Sequence, residues 1–538
     1  MPDRTLPDFP NLEQYRKQAK ELLRDARTGK PSARARISRH HPRFHNFALD
    51  QSLILTLADA QLVLAREHGY SSWAEFARHI ETLHIIRSLE GLDDPHNTFL
   101  EVACVDRHGW HSSGSLEHAE MLLARYPAVA TASIFSSAVL ADETAVRDRL
   151  KRDSSLATAK GGPHKWDALT YLCFSRYLRI EKDRSASFVA CARALLEAGA
   201  DANTGWIEYI GDPPRPVPES AIYGAAGIAQ NPGLTQLLLD HGADPNDEET
   251  PYHVPETYDN SVLKILLASG RLNERSLATI AARKCDWHDD AGLALALAHG
   301  ANPNFLTVWK HTPFHQSIRR DNGLVMIEQF LDHGADPWLA NKSDGRNAFQ
   351  MVAWHGRADV LEALERRGFK GEFSGFEELV ALCARAQTDA ALTLATGASE
   401  LLAQLHAVGG TLLAHFAGAA NDAGVRTLLA LGISPNALWP EGDGYWELTP
   451  GSTALHVAAW RAHHQVVGTL IAAGTHVDAR DARNRTALQL AVKACTNSYW
   501  QYRRRPDSVA ALLAAGASTD GIDWPTGYDA IDELLLPP

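Results

Sequence analysis

The stretch from Gly451 to Asp481 reads GSTALHVAAWRAHHQVVGTLIAAGTHVDARD and decides the fold. It begins with a Ser-Thr-Ala-Leu-His signal at 452–456, continues with two short apolar helical runs, and ends after Gly474 in a polar tip. At Thr486 the same pattern begins again. Self-similarity at this period predicts a stack of helical hairpins, because a single hairpin cannot bury its own apolar face.

Closing turns like the one at Gly474 recur along the chain. Glycine favours the end of a helix because it adopts the left-handed conformation without a Cβ penalty. An Asp or Asn that follows can then hydrogen-bond the local backbone. The closing glycines are Gly199, Gly242, Gly270, Gly300, Gly334, Gly368, Gly397, Gly432, Gly474 and Gly516. Their spacing scatters around the ~33 residues of one repeat unit, and two degenerate early copies raise the prediction to about twelve irregular repeats.

This pattern resembles the ankyrin repeat, in which a Thr-Pro-Leu-His-like turn starts a helix pair that ends in a Gly-Ala-Asp-like loop. A second copy of the starting turn is TPFH at 312–315. The resemblance covers roughly residues 113–538 and implies an all-α ankyrin-repeat solenoid with finger loops. It also implies that His315 and His456 hydrogen-bond the backbone between repeats. We therefore expect no metal site and no cofactor.

Residues 1–90 do not repeat and are predicted to form a small three-helix module. Asn11 is a suitable N-cap for its first helix, which Gly29 and Pro31 should end. Two more helices are expected at about 52–68 and 72–86. Residues 91–112 are then a linker and the start of the stack, which occupies residues 113–538. The module resembles a leader found ahead of repeats in some bacterial ankyrin-type proteins, which suggests a bacterial source.

The composition is that of a globular protein with an acidic charge balance. Hydrophobic residues make up 45% of the 538 residues and charged residues 22%, as is typical of folded domains. A net charge of −13 argues against a nucleic-acid partner. Six widely spaced cysteines indicate buried thiols in a reducing compartment. Because neither a signal segment nor a run of ~18 apolar residues is visible, we expect a cytoplasmic protein without a membrane partner.

Three segments exceed the repeat length and carry aromatic side chains, which acidic residues accompany in the first two segments and three arginines accompany in the third. Two of them, at 203–218 and 436–451, lie in the loops that join successive repeats. The third, at 497–508, lies between the two helices of the last full repeat. Insertions in a solenoid usually map to one face, which is often the binding face. We call the first two segments fingers and expect them to project beside a concave groove.

Aligning the repeats on their starting turns places a further set of side chains at the groove. Trp and Tyr are favoured interface anchors, because they bury much area for few rotatable bonds. The leading hypothesis is a protein partner in the groove, and the alternative is that the aromatic rings pack the fingers onto the helices. The predicted groove-binding residues are Arg176, Tyr177, Trp206, Tyr209, Trp354, His355, Trp446, Trp460, Arg461, His463, Tyr499 and Trp500.

A competing hypothesis is an enzyme, or a small-molecule pocket, between the two fingers. Carboxylates among aromatic rings suit acid/base chemistry or a cationic transition state. The candidates are Asp443 or Glu447 on one finger and Glu208 or Asp212 on the other. Solvated or turn-capping acids are the simpler interpretation. Fold-level resemblance supplies no active site, and the sequence contains no nucleotide-binding or hydrolase motif.

Overall fold

The structure is a computed structural model that describes residues 4–7, 9–44, 55–522 and 525–535. It divides into two compact units, Leu83–Gly345 and Met1–Thr82 with Arg346–Pro538. Each unit is described by itself below. Both are built almost entirely from helices, so the predicted all-α architecture is confirmed. None of the helices in the described ranges has the length and apolar character needed to cross a bilayer.

Where the structure describes it, at residues 4–7, 9–44 and 55–90, the N-terminal module has four helices rather than the predicted three. They are α1 (Leu12–Arg27), α2 (Pro31–His40), α3 (Leu57–Glu67) and α4 (Trp73–Ser88), with a 3-10 turn at Pro42–Phe44. Asn11 caps α1 as predicted, because its side chain accepts hydrogen bonds from the backbone N–H groups of Glu13 and Gln14. The additional helix is α2. Pro31 occupies its first turn, where the missing N–H leaves no helical hydrogen bond unmade.

The unit Leu83–Gly345 carries a series of short helical hairpins and one β-hairpin. Its helices are α5 (Pro95–Ala103), α6 (Glu117–Arg125), α7 (Ile134–Val139), α8 (Glu143–Arg152), α9 (Ala168–Cys173), α10 (Arg176–Ile180), α11 (Ser185–Glu197), α12 (Pro232–Asp240), α13 (Glu249–His253), α14 (Ser261–Ala268), α15 (Glu274–Asp286), α16 (Asp290–Ala298), α17 (Pro313–Arg319) and α18 (Leu324–Asp332). Shorter 3-10 segments are Pro127–Thr131, Ser154–Ala157 and Lys182–Arg184, and Tyr223–Ile228 is a π-helix. Strands β1 (Gly205–Ile210) and β2 (Arg215–Ser220) pair antiparallel. Helix α7 packs on α9, and α15 packs on α17, as expected of stacked hairpins.

The residues from 346 onward form the helical hairpins of the other unit. Their helices are α19 (Ala348–Trp354), α20 (Ala358–Arg366), α21 (Phe376–Ala384), α22 (Thr388–Gly397), α23 (Ser399–Ala407), α24 (Gly409–Gly418), α25 (Asp422–Ala430), α26 (Ala454–Trp460), α27 (His464–Ala472), α28 (Ala487–Thr496), α29 (Asp507–Ala514) and α30 (Asp529–Leu535). Gly444–Trp446 and Tyr499–Arg503 are 3-10 segments, and β3 (Leu438–Trp439) pairs with β4 (Ser452–Thr453). Helices α24, α26 and α28 stack as one layer, and α25, α27 and α29 stack as the second.

The closing turns follow the predicted chemistry at nine of the ten glycines. Those nine have positive φ angles, from 64° at Gly270 to 101° at Gly199, the left-handed conformation in which glycine carries no steric cost. The exception is Gly397, which is the last residue of α22. Its predicted turn is wrong, because α23 begins two residues later, after Ala398 with a φ of −144°, and no left-handed residue is needed.

The starting-turn histidines hydrogen-bond the backbone of the following loop, which confirms their predicted role. His456 Nδ1 lies 2.8 Å from the hydroxyl of Thr453, and its Nε2 lies 3.0 Å from the carbonyl oxygen of Ala479. His315 Nε2 lies 2.9 Å from the carbonyl oxygen of Leu339 in the same manner. Burial lowers the pKa of both rings. A neutral imidazole can therefore accept a hydrogen bond at Nδ1 and donate one from Nε2. The donated bond links each starting turn to the loop that follows its helix pair.

Removing this hydrogen bond should weaken the C-terminal repeats. We expect His456→Ala to lower the free energy of unfolding by about 1–3 kcal/mol, because buried carbonyl and hydroxyl groups lose their partner. Urea unfolding followed by circular dichroism measures the change. His476→Ala, at an exposed position of the following loop, is the matched control and should change little. Equal losses in the two variants would contradict the assigned role.

Candidate functional site

The finger at 203–218 is an ordered β-hairpin with two different faces. Its register pairs Trp206 with Glu219, and Glu208 with Val217. Since successive side chains of a strand alternate between faces, these four residues share the buried face. Gly205 permits the close approach at the base of the hairpin, because a Cβ there would lie 2.2 Å from the carbonyl oxygen of Glu219. The pairing therefore brings two acidic side chains to one buried surface.

His111 meets these two carboxylates from the segment that precedes α6. Its Nε2 lies 3.4 Å from Glu208 Oε2, and its Nδ1 lies 3.8 Å from Glu219 Oε2. The exposed fractions are 8% for His111, 8% for Glu208 and 2% for Glu219. One ligand-type atom from each of the three lies within 4.8 Å of the others. We call these three residues the His–Glu–Glu cluster.

Burial shifts all three groups of the His–Glu–Glu cluster toward their neutral forms. It raises the pKa of Glu219 to about 8, and the nearby carboxylates of Glu249 and Glu208 add to the shift. Burial likewise raises the pKa of Glu208 and lowers that of His111. An isolated buried charge is unstable in such surroundings. The cluster is therefore suited to hold protons or to hold a cation that compensates both carboxylates.

A second histidine lies behind the cluster and is clamped by two carboxylates. His253 Nε2 is 3.2 Å from Glu249 Oε2, and its Nδ1 is 3.1 Å from Glu256 Oε2. Burial alone would lower the pKa of His253, but these hydrogen bonds outweigh burial and raise it to about 9. Tyr223 lies between the two histidines, with its hydroxyl 3.0 Å from His111 Nδ1 and its ring centroid 5.2 Å from that of His253. His253 is thus protonated, and the carboxylates of Glu249 and Glu256 compensate its charge.

Of the four predicted catalytic carboxylates, only Glu208 belongs to this buried cluster. Asp212 lies exposed in the turn of the hairpin. Asp443 accepts a hydrogen bond of 3.0 Å from the backbone N–H of Tyr445, so it caps a turn. The exposed Glu447 forms an ion pair of 2.6 Å with Lys493. For Asp212, Asp443 and Glu447 the structure matches the simpler interpretation of solvated or turn-capping acids.

Sequence reasoning missed His111, Glu219 and Tyr223. A signal for Glu219 was present, because Trp206 and Glu208 alternate in one arm of the finger and Val217 and Glu219 alternate in the other. Two alternating runs joined by a Pro-rich turn are typical of a hairpin with one buried face. His111 has no such signal, since only the tertiary fold brings its segment against the finger.

The finger at 436–451 is anchored by a cluster of four buried tryptophans, Trp439, Trp446, Trp460 and Trp500. Trp460 Nε1 donates a hydrogen bond of 2.5 Å to the carbonyl oxygen of Trp446. The guanidinium of Arg461 lies over the rings of Trp446 and Trp500, at 5.0 and 5.6 Å. The prediction that Trp446, Trp460, Arg461 and Trp500 line an open groove is therefore corrected. These side chains pack the finger onto the helices, because the large flat rings fill the space beside α26.

Three tyrosines remain at the surface above this cluster, and we call them the tyrosine rim. Tyr445, Tyr499 and Tyr502 are 40%, 44% and 65% exposed. Tyr499 lies 5.8 Å from Tyr502 and 6.0 Å from the buried Trp446, measured between ring centroids. Tyr445 packs edge-on against Trp446 at 4.7 Å. The buried tryptophan thus supports a surface of exposed rings.

The remaining predicted groove residues in the unit Leu83–Gly345 differ in exposure. Arg176 is buried and donates a hydrogen bond of 2.8 Å to the carbonyl oxygen of Val102. Tyr177 and Trp206 are buried in the core, so for Arg176, Tyr177 and Trp206 the prediction of open groove contacts is corrected. Tyr209 is exposed on the outer face of the hairpin, and its role as a contact residue stays a prediction.

Three other predicted groove residues are half-buried. Trp354 lies beneath the guanidinium of Arg346, which is 4.0 Å from its ring centroid. His355 stacks on His415 at 4.5 Å between centroids. His463 Nε2 lies 2.8 Å from the carbonyl oxygen of Gly418. Each ring thus contacts a group of its own unit, and part of its surface stays accessible to solvent.

Comparisons with known proteins identify one of the repeats directly. Residues 450–482 match the family model of the ankyrin repeat. No curated protein matches the chain significantly. Among solved structures, the human ASB11 ankyrin repeat domain is similar at 21% sequence identity with a TM-score of 0.33, over 45% of this chain and 99% of that domain. The matched repeat includes His456 and Trp460, so it covers the starting turn and part of the tryptophan cluster.

The stacked His415 predicts a pH dependence for the C-terminal repeats. Burial lowers the pKa of its ring from 6.5 to about 4, so the unfolded chain binds a proton more readily between these values. The contribution of the neutral His415 ring to the free energy of unfolding is fully present above pH 6.5. It is lost as the pH falls toward 4, by at most about 1.4 kcal/mol per pH unit. We expect His415→Gln to flatten that slope in urea unfolding. His476→Gln should keep the wild-type slope, and an unchanged slope in His415→Gln would contradict the assignment.

Proposed function

Because its match over residues 450–482 makes this chain an ankyrin-repeat protein, we propose that it binds a protein partner through the tyrosine rim. Ankyrin repeats are generally protein–protein interaction modules. The observation that carries the proposal is the exposure of Tyr445, Tyr499 and Tyr502 on a base of buried tryptophans. The inferred activity is binding rather than catalysis at this surface.

The tyrosine rim has the physical properties of an interface centre. A tyrosine ring offers a large amphipathic surface and has only two side-chain torsions to immobilise. Contacts with Trp446 and Trp500 already restrict these rings. Little further side-chain entropy is then lost on binding, which favours affinity. Isolated exposed tyrosines on a mobile loop would lack this advantage.

The charge beside the rim favours an acidic partner segment. Arg503 lies over the rings of Trp500 and Tyr502, 5.0 Å from each centroid. Arg504 lies over Tyr528 at 4.8 Å, whereas Arg505 forms an ion pair with Asp507. In a chain of net charge −13, such a local basic patch orients an incoming acidic surface and speeds its association. We therefore propose a partner that presents acidic residues around an apolar contact.

Replacing two rim tyrosines tests the proposal. A photo-crosslinking residue at position 445 first identifies the partner in cells, and calorimetry with the purified pair then measures affinity. We expect Tyr499→Ala combined with Tyr502→Ala to weaken binding at least about 10-fold, the cost typical of truncated interface anchors.

Tyr258→Ala is the matched control, because Tyr258 is 57% exposed and lies in the other unit. It should bind with wild-type affinity. Circular dichroism establishes that each variant is folded. Wild-type affinity in the folded double variant would overturn the proposed surface.

A further inference from the structure

The buried face of the finger at 203–218 contains polar atoms that the protein leaves unsatisfied. Among the described residues, neither His111 Nε2 nor Glu219 Oε2 has a hydrogen-bond partner. Both residues are more than nine-tenths buried. Buried polar groups are normally paired, since leaving one without a partner costs about 1–3 kcal/mol. Two such atoms pointing into one cluster call for a ligand.

We propose that His111, Glu208 and Glu219 bind one divalent transition-metal ion of the zinc type. An imidazole nitrogen and two carboxylate oxygens are ligands that Zn²⁺ accepts, and imidazole favours Zn²⁺ over Mg²⁺ or Ca²⁺. The ion satisfies both unpaired atoms at once and neutralises the two buried carboxylates. This site is separate from the tyrosine rim and does not depend on the proposed partner.

The geometry is compatible with a single ion. The three ligand atoms lie within 4.8 Å of one another. Small side-chain movements then suffice to reach the distances of about 2.0–2.2 Å that Zn²⁺ prefers for nitrogen and oxygen. A cleft of about 420 Å³ at the base of the hairpin has Trp206 and Glu219 among its lining residues.

The neighbouring tyrosine serves as a support for the ligating histidine. The hydroxyl of Tyr223 lies 3.0 Å from His111 Nδ1. When Nδ1–H donates to this oxygen, the lone pair of the ring is on Nε2, the nitrogen nearest to Glu208. Metal-ligating histidines are usually oriented in this way by an oxygen on their second nitrogen.

The surrounding charges favour a cation. The acidic groups around the cluster are Asp106, Glu249, Glu256 and Asp247, and the basic ones are His253, Arg283, Arg107 and His108. His253 is already clamped by Glu249 and Glu256, and Arg283 pairs with Glu256 at 2.6 Å. His253 and Arg283 are therefore compensated, whereas Arg107 lies over the Trp206 ring at 5.6 Å and the exposed His108 lies 3.9 Å from Glu208. The buried Glu219 and the second oxygen of Glu208 remain as the carboxylate oxygens that an ion would neutralise.

A bound ion would fasten the finger to a distant part of the chain. Glu208 and Glu219 come from β1 and β2, whereas His111 comes from the segment between α5 and α6. Their deep burial suits a structural ion. Such an ion would hold the outer face of the hairpin, which exposes Ile207 and Tyr209, in one fixed position.

The test uses the full chain after dialysis against a chelator. Competition with a chromophoric zinc chelator measures affinity and stoichiometry, and Co²⁺ in place of Zn²⁺ reports the ligand field by its visible absorption. We expect one equivalent of Zn²⁺ per chain, a higher melting temperature with Zn²⁺, and a Co²⁺ spectrum of low coordination number. Failure of the wild-type chain to bind Zn²⁺ would overturn the proposal whatever the variants do.

Isosteric variants locate the ion. Glu208→Gln and Glu219→Gln should each weaken Zn²⁺ binding by at least about 10-fold, while their melting temperatures without metal stay close to wild type. Glu249→Gln is the matched control, because that carboxylate pairs with His253 outside the cluster, and it should retain affinity within about 3-fold. Unchanged zinc affinity in both cluster variants, or an equal loss in Glu249→Gln, would overturn the assignment.

Discussion

Every helical hairpin in this protein has an apolar face that it cannot bury alone, and the structure depends on that constraint. Inner helices such as α24, α26 and α28 bury these faces by stacking on one another. The starting-turn histidines add a directional hydrogen bond to the same interface, because His456 joins its own turn to the carbonyl oxygen of Ala479. Stacking supplies the hydrophobic energy, and the histidine bond sets the register of neighbouring repeats.

Loop insertions in such a stack must bury their own apolar side chains, and the two fingers do this in different ways. The finger at 203–218 pairs with itself as a hairpin, and its inner face encloses the His–Glu–Glu cluster. The finger at 436–451 instead buries Trp446 against Trp460 and Trp500. Gly410 allows this packing, since a Cβ there would lie 1.9 Å from the carbonyl oxygen of Leu438. Buried polar side chains in the finger at 203–218 form the His–Glu–Glu cluster, and buried aromatic rings in the finger at 436–451 support the tyrosine rim.

Sequence reasoning succeeded where the deciding interactions are local. Closing glycines and starting-turn histidines act within a few residues of themselves, so their roles follow from the pattern. It missed the helix that begins at Pro31, a residue that was expected only to end the helix before it. It also failed at Trp460, whose amphipathic ring suits a groove and a core equally well. Burial of a ring depends on what covers it, and the covering residues of Trp460 come from a finger and from the 497–508 segment. The repeat number, the domain boundaries and the cytoplasmic location stay predictions.

By itself, the sequence determined that this protein is a stack of helical hairpins with glycine-closed turns, because period and turn chemistry are written in contiguous residues. It also indicated which segments depart from the repeat. Only the tertiary structure decided what those departures do. It brought His111 to Glu208 and Glu219 and left Tyr499 and Tyr502 exposed above a buried base. The physical reason is that burial and side-chain proximity arise between segments far apart in the chain, and no local pattern encodes them.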